Sequence, residues 1–533
     1  MKKALAILLI LCMVFALAAC GSGDKKPADG GSTASGNSPS GGGDSSNSPS
    51  GGGSASTKDT LTVAMAGDNG SLNPFDISGG FVGIVRQYME VLLDYKQGME
   101  KVWVLATDIE EVSTSQWIIH LREGVTFSNG NKFDAHDVWF TFEYCMADPV
   151  LIRYIPTFDL ENSKVLDDYT IDLRLKYYEV TQMDALSMLY ILDAESFDED
   201  SFVTNPIGTG PYVVTDYVIN SHVHMKANEN YWGGKAKIEN LNIKVLNEDS
   251  QMVNAIQAGT VDVTRIPTQD VEFVETLPGY NIETVYNVFC PNVSFNVSEN
   301  SIFNNLDARI AVCHALNRQT VIDLAYFGYA SIVDYPISMY CRDYESRLAN
   351  LHPVYSVGYN LDLAKEHAEK AGLVGQDIVV ITNGSSQYIA TAEIMQANLK
   401  EIGVNVIIQN YDAASYYSVS TDLTRFDISL YATASPQQLA VGMLYSYVLY
   451  SASLSAGGWP GYDRFMEIGV AAIANPSTEE RSDALFEMTQ IFTDACLWYG
   501  LCDQMAATAV NVGLGGVEFW SNGDCRYGDW YWK

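Results

Sequence analysis

Leu121-Arg122-Glu123-Gly124-Val125-Thr126-Phe127-Ser128-Asn129-Gly130, closing on Phe133-Asp134-Ala135-His136-Asp137-Val138, is the stretch on which the fold turns. The apolar run from Trp117 to Leu121 that leads into it reads as a strand. Asn129-Gly130 has the composition of a tight turn, because its backbone angles suit asparagine and glycine. Asp134 then stands where its carboxylate can accept the first free amides of a helix. Strand, turn and capped helix follow one another within a few residues, which is an α/β unit.

The same alternation continues outward. Leu61 to Ala66, Tyr169 to Leu175, Leu241 to Leu246, Ile378 to Ile381 and Val404 to Ile408 are period-2 or continuous apolar runs and read as strands. Between them, Asp249 to Ala258 carries Met252, Val253, Ala255 and Ile256 on a face and stops at Gly259. Asp307 to Leu316 has its alanines and Val312 at helical spacing. Leu363 to Ala371 ends at Gly372, as a left-handed helix terminus does. Thr478 is placed to cap a long helix whose Ala484, Leu485, Met488, Ile491, Phe492 and Ala495 form one stripe. The folded part is mixed α/β, and its span from about Lys58 to Lys533 exceeds one hydrophobic core.

The N-terminal end has a different character. Lys2 and Lys3 precede an uninterrupted apolar run from Leu5 to Ala19, which is the length of a secretion signal and too short to span a bilayer. The run ends Leu17-Ala18-Ala19-Cys20-Gly21, which resembles the lipobox of bacterial lipoproteins. That resemblance implies that Cys20 becomes the acylated mature N-terminus, the alternative being an ordinary cleaved signal with a chance cysteine. Residues 21–57 are almost all Gly, Ser, Pro, Asn, Asp and Thr, bury too little to order themselves, and average roughly 33 Å end to end. An acylated cysteine on such a leash places the folded part on the outer face of the cell membrane.

Composition narrows the function. The chain is 47% hydrophobic and 18% charged, with a net charge of −34. Nucleic acid is not an expected partner, since phosphate binding needs clustered Lys and Arg. The nine cysteines include Cys12 and Cys20 of the signal. Cys145, Cys290, Cys313, Cys341, Cys496, Cys502 and Cys525 are scattered without a CxxC pair, so free buried thiols are expected, with a Cys496–Cys502 bridge as the alternative. There is no P-loop, HExxH or GxSxG in the folded part. His222-Val223-His224 reads as two residues on one face of a strand, and no catalytic, metal or cofactor site is expected.

Three further blocks join the first. They are Gly208-Thr209-Gly210-Pro211-Tyr212 with Asn230-Tyr231-Trp232-Gly233-Gly234-Lys235; Asn254-Ala255-Ile256-Gln257-Ala258-Gly259-Thr260-Val261-Asp262; and Asp307-Ala308-Arg309-Ile310-Ala311 through Ala315-Leu316-Asn317-Arg318. In this order the four resemble the family 5 extracellular solute-binding proteins, receptors of oligopeptide and dipeptide ABC importers. Most of their residues read as scaffold. The resemblance implies a type II periplasmic-binding-protein fold of two hinged lobes, with an extra α/β domain inserted in the first. Domain I would take residues 58–95, 194–285 and 507–533, domain II 96–193, and domain III 286–506. It also implies a monomer that works with ABC permease and ATPase subunits and binds its guest between the lobes. The guest would be a peptide or peptide-like solute, with sugars, haem and metal chelates also known in the family.

In peptide-binding members, an aspartate in the second lobe pairs with the peptide's α-amino group. Here the strand Phe426-Asp427-Ile428-Ser429-Leu430 continues Tyr431-Ala432-Thr433-Ala434-Ser435-Pro436 without an acid, and Asp427 comes too early. Either another acid substitutes or the guest lacks an ordinary free amine. Asn69, Ser71 and Asn73 after the first strand, and Tyr411, Tyr431, Thr433, Ser435 and Trp459 in the second lobe, are the candidate ligand contacts. Tyr416, Tyr417, Tyr445, Tyr447 and Tyr450 crowd the same region, as cleft wall or as core. The rival readings are a lipid-anchored extracellular hydrolase, for which no histidine has a suitable neighbour, and a binding-only sensor or adhesin.

Overall fold

Three main sheets organise the chain in the computed structural model, which describes residues 58–68, 70–76, 82–96, 100–286, 289–344, 347, 352–433, 439–520 and 524–533. Asp59–Lys533 form one unit. Cys20 and the Gly/Ser segment fall outside the described residues. No helix among the described residues is long and apolar enough to cross a membrane.

The first sheet is built around Thr60–Met65, which runs parallel to Asn240–Val245 on one side and Val263–Ile266 on the other. Beyond Asn240–Val245 come His222–Ala227 and then Tyr212–Val218, both antiparallel. Beyond Val263–Ile266 come Cys502–Asn511 and then Tyr280–Tyr286. The short strand Ala330–Ile332 pairs with the beginning of Cys502–Asn511. The second sheet has five strands, in the order Asn405–Asn410, Asp377–Thr382, Ile428–Thr433, Cys290–Phe295 and Trp498–Gly500. Its first three are mutually parallel. A third, four-stranded antiparallel sheet contains Ala106–Ser113, Gln116–Leu121, Thr170–Arg174 and Lys164–Asp167.

Each sheet has its own core. Leu61, Val63, Ile243 and Tyr212 pack under the first sheet. Trp117, Phe133, Phe142 and Phe158 pack under the third. Val380, Leu430, Phe465, Phe492 and Trp498 pack under the second. The chain leaves the first sheet after Tyr286 and joins the second at Cys290; it returns between Gly500 and Cys502. The expected limit at residue 506 therefore falls inside a continuous strand, because Cys502–Asn511 crosses the junction before it enters the first sheet.

Local chemistry accounts for the helix ends. Asp134 accepts from the His136 amide while Asp137 accepts from the Asp134 amide, a reciprocal cap that starts Ala135–Ala147. Gly372 closes Leu361–Ala371 with φ of +67°, a conformation that a side chain would strain. The last long helix, Thr478–Asp494, is capped by Ser477, whose hydroxyl accepts from the Glu480 amide. Thr478 is its first helical residue, so the cap lies one place earlier than the one expected from sequence. The seven cysteines of the folded part are free and buried. Cys496 has Cys313 as its sulfur neighbour, at 3.3 Å, rather than Cys502.

Candidate functional site

In open α/β sheets, ligands meet the carboxyl ends of parallel strands, where loops converge. Thr60–Met65 ends in the loop that carries Asn69, Ser71 and Asn73. Asp377–Thr382, Asn405–Asn410 and Ile428–Thr433 end in the segments that carry Gly384, Tyr411 and Ser435. Among the described residues, Ser71, Asn73, Tyr411, Tyr431 and Thr433 therefore lie on or just beyond strands that point the same way within their own sheet. Asn69 and Ser435 fall outside the described residues. Thr433 closes the strand Ile428–Thr433.

Ser71 and Asn73 are buried and shape their own loop. The Ser71 hydroxyl donates to Asp76 and accepts from the Asn73 amide, and Asn73 Oδ1 accepts from the Phe75 amide. Asn73 Nδ2 is buried without a partner among the described residues. Asp68 anchors the loop, accepting from the Tyr217 hydroxyl and the Asn220 amide. Across the molecule, Tyr411 and Tyr431 pack on one small cluster with Ile381, Tyr416 and Phe426. The Tyr411 hydroxyl donates to Gln409 at 2.6 Å and accepts from Arg425 at 3.2 Å. Tyr431 stands edge-on to Tyr447 at 5.9 Å, and Tyr447 edge-on to Trp498 at 5.2 Å. At Gly384, φ is +79° and a Cβ would lie 2.8 Å from the Tyr411 carbonyl, so glycine permits this strand end.

Trp459 is placed differently. It is 4% exposed. Its indole N–H donates to the Leu454 carbonyl, and its ring packs on Tyr462 and Phe465. That ring belongs to the core of the second lobe. Asp427 is equally committed: its carboxylate accepts from the Val379 amide at 2.8 Å, and burial raises its pKa. It supports the strand pairing.

The side chains that bridge the parts of the molecule were not singled out from sequence. Arg342, after the second lobe's Ser338, forks onto Asp184 of Gln182–Ala185 with two bonds of 2.6 Å. Tyr95 completes the group, donating to Asp184 at 2.6 Å and accepting from Arg342 at 2.9 Å. Burial works against the Arg342 charge, but the Asp184 carboxylate holds the guanidinium firmly protonated. Beside this group the Val180 amide donates to the Ile473 carbonyl at 2.9 Å. Two surface cavities, of about 560 and 550 Å³, lie elsewhere. One is lined by Asn247, Glu248, Asp249 and Gln269, the other by Glu393, Gln396, Lys400 and Asn405.

The signature blocks converge on scaffold. Glu90 is buried and accepts from the Thr209 hydroxyl, the Tyr231 hydroxyl and the Trp232 indole. Arg122 stacks on the Trp232 ring at 4.0 Å. Gly208 and Gly210 lie so close to Tyr88 that a Cβ would meet its backbone at 2.1 and 2.6 Å. Asp262 accepts from the Thr62 amide and from Asn511. Arg309 is buried and donates to the Ala495 carbonyl from two nitrogens.

Residues 102–453 match the family model described as bacterial extracellular solute-binding proteins, family 5 Middle. The nickel-binding periplasmic protein of Escherichia coli is 25% identical over 392 residues, covering 68% of this chain and 73% of that protein. The crystal structure of NikA from Brucella suis in complex with Fe(III)-EDTA superposes with a TM-score of 0.80 at 20% identity, over 89% of this chain and 100% of that one. The periplasmic binding protein DppA from Helicobacter pylori, solved with the peptide STSA, gives 0.72 at 22% identity, over 89% and 98%. The fold is that of these type II binding proteins, two lobes with an added α/β domain.

Proposed function

Because the chain belongs to family 5 of the bacterial extracellular solute-binding proteins, we propose that it captures a peptide or peptide-like solute between its lobes and delivers it to an ABC importer. In this reading, residues 58–95, 194–285 and 507–533 form the first lobe, 96–193 its inserted domain and 286–506 the second lobe. Cys20 carries the lipid anchor that holds the receptor outside the membrane.

The observation that carries the reading is the bond pair between Arg342 and Asp184, with Tyr95 between them. It joins the inserted domain to the second lobe, close along the chain to Tyr340 and Met339, which meet Tyr286 and Asp503 of the two crossing strands. In this reading the pair forms as the lobes shut and biases an open–closed equilibrium that a guest completes. Ser71, Asn73 and Asn69 would line the guest from the first lobe; Tyr411, Tyr431, Thr433 and Ser435 would line it from the second.

One observation favours a second guest class. Asp427 supports the strand pairing through the Val379 amide, no acid follows it on Ile428–Thr433, and a buried ammonium without a carboxylate is costly. A metal chelate, as in the NikA complex, needs no such partner. Melting the protein with a tetrapeptide, with the same peptide N-acetylated, and with a nickel–histidine chelate separates these. Ligand at about 100 Kd adds about 2.7 kcal/mol, or several degrees. Stabilisation by either peptide supports the proposal, and stabilisation by the chelate alone rejects the peptide class. Cys20→Ala should release the protein from membranes; acyl-dependent pelleting of that variant would reject the anchor.

A further inference from the structure

The hairpin at the edge of the first sheet carries a group of side chains that solute capture does not use. Strand alternation puts His222 and His224 on the solvent face of His222–Ala227, with Val223 and Met225 buried. The register sets Asp216 of Tyr212–Val218 directly opposite His224. The two imidazoles stack with centroids 4.2 Å apart. Asp216 Oδ2 lies 2.9 Å from His222 Nε2 and 3.7 Å from His224 Nδ1. One ligand atom from each of the three lies within 4.8 Å of the others.

Two ligands on a tetrahedral zinc ion sit about 3.4 Å apart, given bonds near 2.1 Å. Small side-chain rotations therefore bring all three onto one ion. The remaining nitrogen of His222 is held by the Ser221 hydroxyl at 2.9 Å. That contact orients the ring as the support of a metal-bound histidine does. Lys244, in register with His222 on the adjoining strand, turns its ammonium to the Thr260 carbonyl at 3.0 Å. Lys226, the next cation on the same face, pairs with Glu239. The cluster thus keeps its carboxylate for another cation.

We propose that Asp216, His222 and His224 form a surface site for one divalent transition cation of the zinc, nickel and copper class. Two imidazoles and a carboxylate select that class over calcium or magnesium. The hairpin strand His222–Ala227 lies four strands from Cys502–Asn511, which leads to the second lobe. At about 4.8 Å per strand that is roughly 19 Å from the strand that leads to the second lobe, while Tyr217 and Asn220 of the same hairpin meet Asp68 at the start of the loop that carries Ser71 and Asn73.

Titration calorimetry with zinc chloride, on the chain from Lys58 in a buffer free of chelators at pH 7.5, tests this. The expected result is one zinc ion per chain, with affinity weakened at least about tenfold by His224→Ala or by Asp216→Asn. The double change His222→Ala with His224→Ala should abolish uptake, while His120→Ala on another sheet should not alter it. His224 is 43% exposed, and unchanged melting of the variants without metal shows that loss of uptake is local. Absence of stoichiometric uptake in the unaltered protein, or uptake that survives the double change, overturns the proposal.

Discussion

Arg342 of the second lobe holds Asp184 of the inserted domain by two parallel N–H···O bonds of 2.6 Å each. The Asp184 side chain is 1% exposed and that of Arg342 26%. Removing one partner of such a pair leaves a desolvated charge, a penalty of several kcal/mol when both are fully buried. Partial exposure of Arg342 reduces that to about 1–2 kcal/mol. If the pair forms on closure, as proposed, Asp184 meets water when the lobes part and the penalty falls on the shut form alone. Arg342→Ala should therefore weaken guest binding about tenfold and raise the radius of gyration of the unliganded protein in small-angle scattering. Equal affinity and equal radius in the two proteins would mean that the pair has no part in closure.

Glu90 offers a complementary test, because its carboxylate receives three donors from the two separated parts of one signature block. An amide in its place brings donors of its own to a site already full of them. Glu90→Gln should lower unfolding stability by about 2–4 kcal/mol, since buried polar groups lose their acceptor. Guest affinity per folded molecule should stay the same. Urea unfolding and calorimetry read the two effects separately. A variant as stable as the parent would remove Glu90 from the scaffold role.

These residues also show what the sequence discloses. The Asp134 cap, the Gly372 terminus and the strand at Thr60–Met65 were legible because each depends on neighbours within a few positions. The scaffold character of Gly208, Tyr231 and Asp262 was legible through the family pattern, but its reason, the shared acceptor Glu90 and the close Tyr88 backbone, was not. Arg342 and Asp184 lie 158 positions apart, and periodicity reports the buried face of an element without naming what covers it. Asp216 escaped notice beside His222 and His224 for the same reason, since register across a hairpin decides the pairing. Trp459 was expected to face the guest, yet its ring is buried against Tyr462 and Phe465, a packing that its neighbours in sequence do not reveal.

That placement separates two tryptophan and tyrosine substitutions. Trp459→Ala removes a buried ring and should cost about 3–5 kcal/mol of stability, leaving the affinity of the folded fraction unaltered. Tyr431→Ala, at a half-buried ring beside Tyr447, should cost less stability and weaken guest binding at least about tenfold. Thermal melting paired with guest titration distinguishes them. If Trp459→Ala abolishes binding while melting as the parent does, its ring reaches the guest after all.

Asp503 sits on the crossing strand, where its carboxylate accepts from the Met339 amide at 3.0 Å. Burial pushes its pKa up to about 6, against about 3.9 in an unfolded chain. The folded form therefore holds the proton more tightly. Its contribution to stability is complete below about pH 4, declines as pH climbs to about 6, and stays lost above. Two units correspond to at most about 3 kcal/mol. Asp137, pushed to about 6 by the same cause, adds a slope of the same sign, and the charge repulsion of so acidic a chain adds another. Comparing Asp503→Asn with the parent cancels both. The asparagine variant should gain stability over the parent at pH 7.5 and lose that advantage at pH 4.5, as read by urea unfolding at each pH. A difference that does not change with pH would show that Asp503 is not the titrating group at this crossing.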